Sequence, residues 1–326
     1  MRFLTADYLY PLYINPLKHG VLQISEKGEV ISIFEDRKAV SKQKLEFFDG
    51  VICPGFVNAH CHLELSHLFG NIHKGKGLLS FIESLKKRSD FNKLEILESI
   101  EFAENQMIKN GIVAVGDICN TADTLYQKKK KNLQYYNFIE VFGVRDKNAN
   151  QIIRAAKDLR GQFRVSGQKS TISPHSAYSV PKQLLQEIIR NFDSEDELLS
   201  IHIQESDQEN DLFEKKTGDF FSWLQSIQAS SSIWESRHKS TDILKALINK
   251  KLLLVHNTFA KKEDISSYYY CTCPKANLYI ENKVPNYSIF NAEKLCVGTD
   301  SLASNNTLSI LDELKVIKEN SSFDLN

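Results

Sequence analysis

His60 and His62 flank a single cysteine in His60-Cys61-His62, at the end of a candidate strand over residues 51–57. Side chains two apart on an extended chain point to the same side, so both imidazoles can face one cation while Cys61 points away. A lone pair of this kind is a weak motif and is more often a surface or capping pair. What gives it weight is recurrence: His175, His202 and His256 each fall at the end of another short apolar run, and so does Asp300 in Gly298-Thr299-Asp300-Ser301. Imidazoles with one carboxylate form a mixed nitrogen and oxygen set suited to zinc, and also to iron(II) or manganese. Such a cation lowers the pKa of water to about 7, so hydrolysis is the natural chemistry. Glu205 lies three residues after His202, where a carboxylate could pass a proton beside the cation; the alternative is a carboxylate favoured by a helix N-terminus.

These residues can converge only if the elements before them are equivalent. Apolar runs at residues 51–57, 112–115, 135–141, 170–173, 198–203, 252–255, 268–271 and 295–297 alternate with amphipathic stretches, the pattern of repeated βα units. Eight such strands suggest a closed (β/α)8 barrel, in which every strand ends at one mouth. A helix is expected over residues 94–109, with Leu94, Leu97, Phe102 and Ile108 as its apolar residues and Asn110-Gly111 as its stop, and another over residues 181–191. Residues 1–50 read as short strands with a Lys27-Gly28-Glu29 turn, a small β-sandwich-type appendage, so the expected domains are 1–50 and 51–326. The run Lys128 to Lys131 reads as a solvated loop, and residues 229–241 as an exposed loop that could serve as a lid.

Composition narrows the partners. Forty-one Lys and Arg balance 41 Asp and Glu, so no excess positive field exists to hold nucleic acid or anionic lipid. A hydrophobic fraction of 42% can fill a sizeable core, which excludes disorder. With no apolar run long enough to span a bilayer and no signal peptide, the expected location is cytoplasmic. Six cysteines without C-x-x-C spacing are too sparse for a disulfide scaffold; Cys53, Cys61, Cys271 and Cys296 lie by apolar runs and read as buried thiols.

Several stretches together resemble the amidohydrolase superfamily, in the aminohydrolase branch with S-adenosylhomocysteine, guanine and aminofutalosine deaminases. They are Pro54 to Glu64 (PGFVNAHCHLE), Ser173 to Val180 (SPHSAYSV), His202 to Ser206 (HIQES), Val255-His256-Asn257, Cys273 to Leu278 (CPKANL) and Gly298 to Ser301 (GTDS). The resemblance implies one divalent metal, zinc first, held by His60, His62, His202 and Asp300. Glu205 would protonate the ring nitrogen and then the departing ammonia, His256 would orient the water, Asp300 would take up its proton, and His175 would contact substrate. The implied reaction is hydrolytic deamination of a purine-like heterocycle. The same chemistry would serve a triazine chlorohydrolase or a cyclic-amide hydrolase, and a non-catalytic metal-binding homologue is the remaining alternative. The binuclear branch is disfavoured because His175 stands where its members carry a carboxylated lysine.

Two further residues are candidates for substrate binding. Glu64 could accept hydrogen bonds from ribose hydroxyls or serve as a loop brace, and Arg145 could meet a substrate carboxylate or form a structural salt bridge. Expected partners are a small heterocyclic substrate and at most a second copy of the chain as a homodimer. Only twenty-six residues follow Asp300, fewer than the resemblance implies, so the β appendage is either reduced or completed by residues of a longer reading frame.

Overall fold

The computed structural model describes residues 1–192, 197–264 and 268–321. The chain divides into two compact units, Met1–Phe56 and Val57–Asn326.

In the first unit, β1 (Arg2–Leu9), β2 (Leu17–Lys18), β3 (Val21–Ile24), β4 (Val30–Phe34) and β5 (Leu45–Ile52) form one five-stranded sheet. β1 runs antiparallel to β2 and β3 and parallel to β5. The turn between β3 and β4 closes where expected, with Gly28 at φ 84° and its N–H donating to the Ser25 carbonyl at 3.0 Å. The described residues form a single sheet here, where two packed sheets were expected. Residues 51 and 52 end β5 rather than starting the second unit's first strand. Cys53-Pro54-Gly55 interrupts the pairing, because proline has no N–H to donate, and the next strand begins at Phe56.

The second unit carries that strand, β6 (Phe56–Cys61), followed by β7 (Ile112–Cys119), β8 (Gln134–Val141) and β9 (Lys169–Pro174) in one four-stranded sheet. A second four-stranded sheet orders β10 (Leu198–Ile203), β11 (Lys251–His256), β12 (Tyr269–Thr272) and β13 (Leu295–Val297). Neighbours in this second sheet are all parallel, as are β7 with β8 and β8 with β9. Backbone bonds join the sheets at both edges: His202 N–H donates to the His175 carbonyl at 2.8 Å, and Asp300 N–H to the His60 carbonyl at 3.1 Å. Two glycines permit the close approach of strands. A Cβ on Gly116 would stand 2.5 Å from the Ala59 carbonyl oxygen, and one on Gly298 would stand 2.8 Å from the His60 carbonyl oxygen.

The strands are near-continuous apolar runs because both faces are covered. Ile172, Leu199, Ile201, Leu252 and Leu254 are buried in one cluster with the helix residues Phe163, Leu184, Ile188 and Leu247. The helix Lys93–Lys109 starts at a capping box, with Asn92 accepting from Leu94 and Glu95 N–H and the Glu95 side chain accepting from Asn92 N–H. Its core stripe is Ile96, Ile100, Ala103 and Met107 at helical spacing. The expected stripe is corrected, since Leu94, Phe102 and Ile108 are exposed. The second expected helix spans Lys182–Arg190, with Pro181 at its cap.

Three other expectations change. Residues 229–241 are not an exposed loop: Ile233 and Trp234 are buried, and Arg237 donates to the carbonyls of Ala177, Ile233 and Val180, which ties the segment down. Lys128 is fully buried, although Lys129, Lys130 and Lys131 are exposed. Cys53 is exposed and Cys296 half-buried, while Cys61, Cys119, Cys271 and Cys273 are buried thiols. Among the described residues, no helix is long and apolar enough to cross a membrane.

Candidate active site

The histidines meet at the C-terminal ends of the strands. His60 lies in β6 and His62 just after it, His202 in β10, His256 at the end of β11, and Asp300 three residues beyond β13. These residues are 0 to 9% exposed. His62 Nε2 stands 3.2 Å from His60 Nε2 and 3.2 Å from His202 Nε2, and Asp300 Oδ1 lies 3.5 Å from His62 Nε2 and 3.7 Å from His60 Nε2. A tetrahedral cation with ligand bonds of about 2.0–2.1 Å separates its ligand atoms by about 3.3 Å. The four donors therefore have the spacing a single divalent cation requires. Burial disfavours a charged imidazole most strongly, holding His202 well below the usual histidine range and His62 at about 3, so the rings are neutral and their lone pairs are available. The bond from His202 Nδ1–H to the His175 carbonyl, at 3.1 Å, turns Nε2 toward the cluster.

The backbone at these strand ends is strained. Gln204, His256, Asn257 and Asp300 all adopt left-handed φ values between 49° and 71°, a conformation costing about 1–3 kcal/mol for such residues. It persists because the surroundings hold it, for instance the Asn257 N–H bond to the Ile203 carbonyl at 3.1 Å.

Glu205 lies beside the cluster, with Oε1 3.5 Å from His256 Nε2 and Oε2 facing the Tyr178 hydroxyl at 3.5 Å. Burial and then the Asp300 charge push its carboxyl well above the usual range, which favours the protonated form. Its loop is fixed by Glu209, which accepts from the N–H groups of Gln204 and Glu205. His256 Nδ1 meets Asn277 Oδ1 at 2.8 Å; an amide oxygen only accepts, so Nδ1 carries the proton and Nε2 is a free acceptor. His175 bonds Ser179 Oγ through Nδ1 at 2.6 Å and lines the same pocket.

The pocket has a volume of about 490 Å³. His62, His202, His256, Glu205 and Asp300 form its polar side, and Leu65, Leu78, Phe81, Ile82, Phe142 and Trp223 its apolar side. A larger cavity of about 740 Å³ sits at the starts of the strands, around Ala114, Gln134, Leu198 and Tyr269, but none of the clustered histidines reaches it. Chemistry rather than size selects the pocket at the strand C-termini.

Two expected substrate ligands lie elsewhere. Glu64 is fully buried and saturated, accepting from Arg88, the N–H groups of Asn120 and Thr121, and the Thr121 hydroxyl. It braces Arg88, which itself lines the pocket. Arg145 is turned away and donates to the Ile227 carbonyl at 2.9 Å. Sequence reasoning missed Asn277, Arg88, Asn120 and Glu140. For Glu140 a signal was available, a carboxylate inside the apolar run Phe138-Ile139-Glu140-Val141.

Residues 51–323 match the amidohydrolase family model. The chain belongs to the amidohydrolase family. This amidohydrolase is a hydrolase acting on carbon–nitrogen bonds, as its relatives are. It is 26% identical over 288 residues to an adenosine deaminase from Helicobacter pylori, covering 83% of this chain and 69% of the relative. It is 24% identical to an aminodeoxyfutalosine deaminase from a Nitratiruptor species, covering 82% and 67%, and 24% identical to a 5'-deoxyadenosine deaminase from Methanosphaera stadtmanae, covering 82% and 62%. The chain thus spans about two thirds of the length of these curated relatives. Among solved structures, Helicobacter pylori aminofutalosine deaminase in complex with methylthio-coformycin superposes with a TM-score of 0.84 at 24% identity, over 100% of this chain and 83% of that one. Guanine deaminase from C. acetobutylicum superposes with a TM-score of 0.73 at 15% identity, over 98% and 79%.

Proposed function

We propose that this amidohydrolase hydrolytically deaminates an adenosine derivative, and that its eight parallel strands close into a (β/α)8 barrel presenting the site at one mouth. The observation that carries the reading is the convergence of three imidazoles and Asp300 at cation spacing, with the buried Glu205 carboxyl beside them. His60, His62, His202 and Asp300 would hold one divalent metal, zinc first, since imidazole and carboxylate favour it, with iron(II) or manganese also accepted by this set. The chemistry such a cation supplies when bound is Lewis-acid activation of water.

The remaining steps belong to the chain's own side chains. His256 Nε2 accepts a hydrogen from the attacking water and orients it. Asp300 takes up the proton that water releases on adding to the amidine carbon. Glu205 protonates the ring nitrogen, which makes that carbon electrophilic, and then carries the hydroxyl proton of the adduct to the amino group, which leaves as ammonia while the ring keeps the oxygen; the proton held by Asp300 restores Glu205. The product is the corresponding oxo heterocycle.

The apolar side of the pocket supports a substrate whose sugar carries a hydrogen or an uncharged group at its 5' carbon, because it offers Leu65, Phe81 and Phe142 where a charged amino-acid tail would need partners. Ammonia release from 5'-deoxyadenosine, methylthioadenosine, adenosine, aminofutalosine, S-adenosylhomocysteine and guanine tests this. The uncharged adenosine derivatives are expected to give the highest kcat/KM, and a preference for S-adenosylhomocysteine would contradict the reading of the apolar wall.

A further inference from the structure

Glu140, one residue before the end of β8, presents an unmet acceptor to the pocket. Its side chain is 5% exposed and lines the cavity beside His175 and His202. Oε2 accepts from Asn120 Nδ2 at 3.1 Å, but Oε1 is buried with no hydrogen-bond partner. His202 Nδ1 is 3.5 Å from Oε1, yet its proton is directed to the His175 carbonyl at 3.1 Å. A buried acceptor without a donor destabilises the free protein, and native structures seldom keep one without a use. The other carboxylate near this wall cannot take the role, because Glu64 already has four donors.

We propose that Glu140 is the specificity-determining acceptor of the pocket, taking the hydrogen of a sugar hydroxyl on the substrate. The inference rests on the deaminase reading above. Glu140 faces the Nδ1 side of the His202 ring, whereas the cation cluster gathers on its Nε2 side, so a donor meeting Oε1 lies one imidazole ring away from that cluster. A ribosyl group extends to that distance from the purine amidine carbon, and its hydroxyls are the donors it carries. The same wall also carries Arg88 and Asn120, both bonded within the protein, and His175, whose Nδ1 is bonded to Ser179.

The test compares kcat/KM for adenosine, 2'-deoxyadenosine and 3'-deoxyadenosine on the zinc-loaded protein and on Glu140→Met, with bound metal measured in both. The wild type is expected to favour adenosine over at least one deoxy analogue by about 10- to 100-fold, as for other lost buried hydrogen bonds. Glu140→Met should lose that preference, through a fall for adenosine and for the analogue that keeps the contacted hydroxyl but not for the analogue that lacks it, and keep its metal. An equal fall for all three substrates, or loss of metal, would overturn the proposal and make Glu140 a support for His202. A wild type that releases ammonia from all three with no preference would overturn it without the variant. Ammonia from none of them, nor from the wider panel above, would instead overturn the deaminase reading, and the role of Glu140 with it.

Discussion

Asn277 holds His256: its Oδ1 accepts from Nδ1 at 2.8 Å, from a helix, Pro274–Ile280, that follows β12. The contact fixes which nitrogen carries the proton and so leaves Nε2, 3.5 Å from Glu205, as an acceptor. Asn277→Leu removes the contact without adding charge. We expect kcat for ammonia release to fall about 10- to 100-fold with the metal content unchanged. A variant with wild-type kcat would show that His256 needs no such support.

Lys128 and Asp117 form an ion pair in which both side chains are fully buried, and Lys128 Nζ also reaches Asn137 Oδ1 at 2.6 Å. Burial is the strongest influence and lowers the lysine pKa, but the Asp117 charge, the hydrogen bond to it and the contacts with Cys119 together outweigh burial and raise the value. Lys128→Met leaves Asp117 charged and unpaired, which we expect to cost about 3–5 kcal/mol in urea unfolding. Adding Asp117→Asn should recover part of that loss. A single-variant cost below about 1 kcal/mol would contradict this account of the pair.

That pair marks the limit of what the sequence reveals. A run of four lysines carries the same pattern whether one of them turns inward or none does, and only the packing of Tyr135 and Phe163 around Nζ separates Lys128 from its neighbours. The metal-ligand candidates were legible because each follows an apolar run, and spacing along strands is a local property. Pocket walls were not. Whether Glu64 faces a substrate or a brace depends on Arg88 and Thr121, 24 and 57 residues away in sequence, and no periodicity reports that. The first strand slipped for a related reason, since residues 45–52 satisfy a strand pattern that the sheet of the first unit claims by pairing with β1.

Zinc titration of metal-free protein should saturate at one equivalent per chain and raise the thermal midpoint, because a cation bound to the folded state alone stabilises it. His62→Ala removes the donor that stands 3.2 Å from both other imidazoles, and should weaken binding enough to abolish that rise. Two equivalents binding with similar affinity would contradict a single-cation site.

Glu313 offers a check by pH. Burial raises its carboxyl to about 7 from an ordinary 4.5, against the bonds from Lys275 N–H and Asn305 Nδ2 that lower it. Below pH 4.5 both the folded and unfolded chains keep the proton, and Glu313 favours neither. Between 4.5 and about 7 the unfolded chain releases it first, so stability falls as pH rises through this window and then levels. Glu313→Gln lacks this slope. The stability of the wild type relative to the variant should therefore fall by up to ~3 kcal/mol across that interval in chemical unfolding, and a parallel pair of curves would contradict the raised value.

Ammonia release by zinc-loaded wild type and Glu205→Gln, with 5'-deoxyadenosine and adenosine as substrates, tests the central claim most directly. The account predicts turnover by the wild type, and a loss of about 10²- to 10⁴-fold in the variant with one metal per chain retained in both. Equal turnover by the two proteins would contradict the role of Glu205, and no ammonia from a metal-loaded wild type would contradict the deaminase itself.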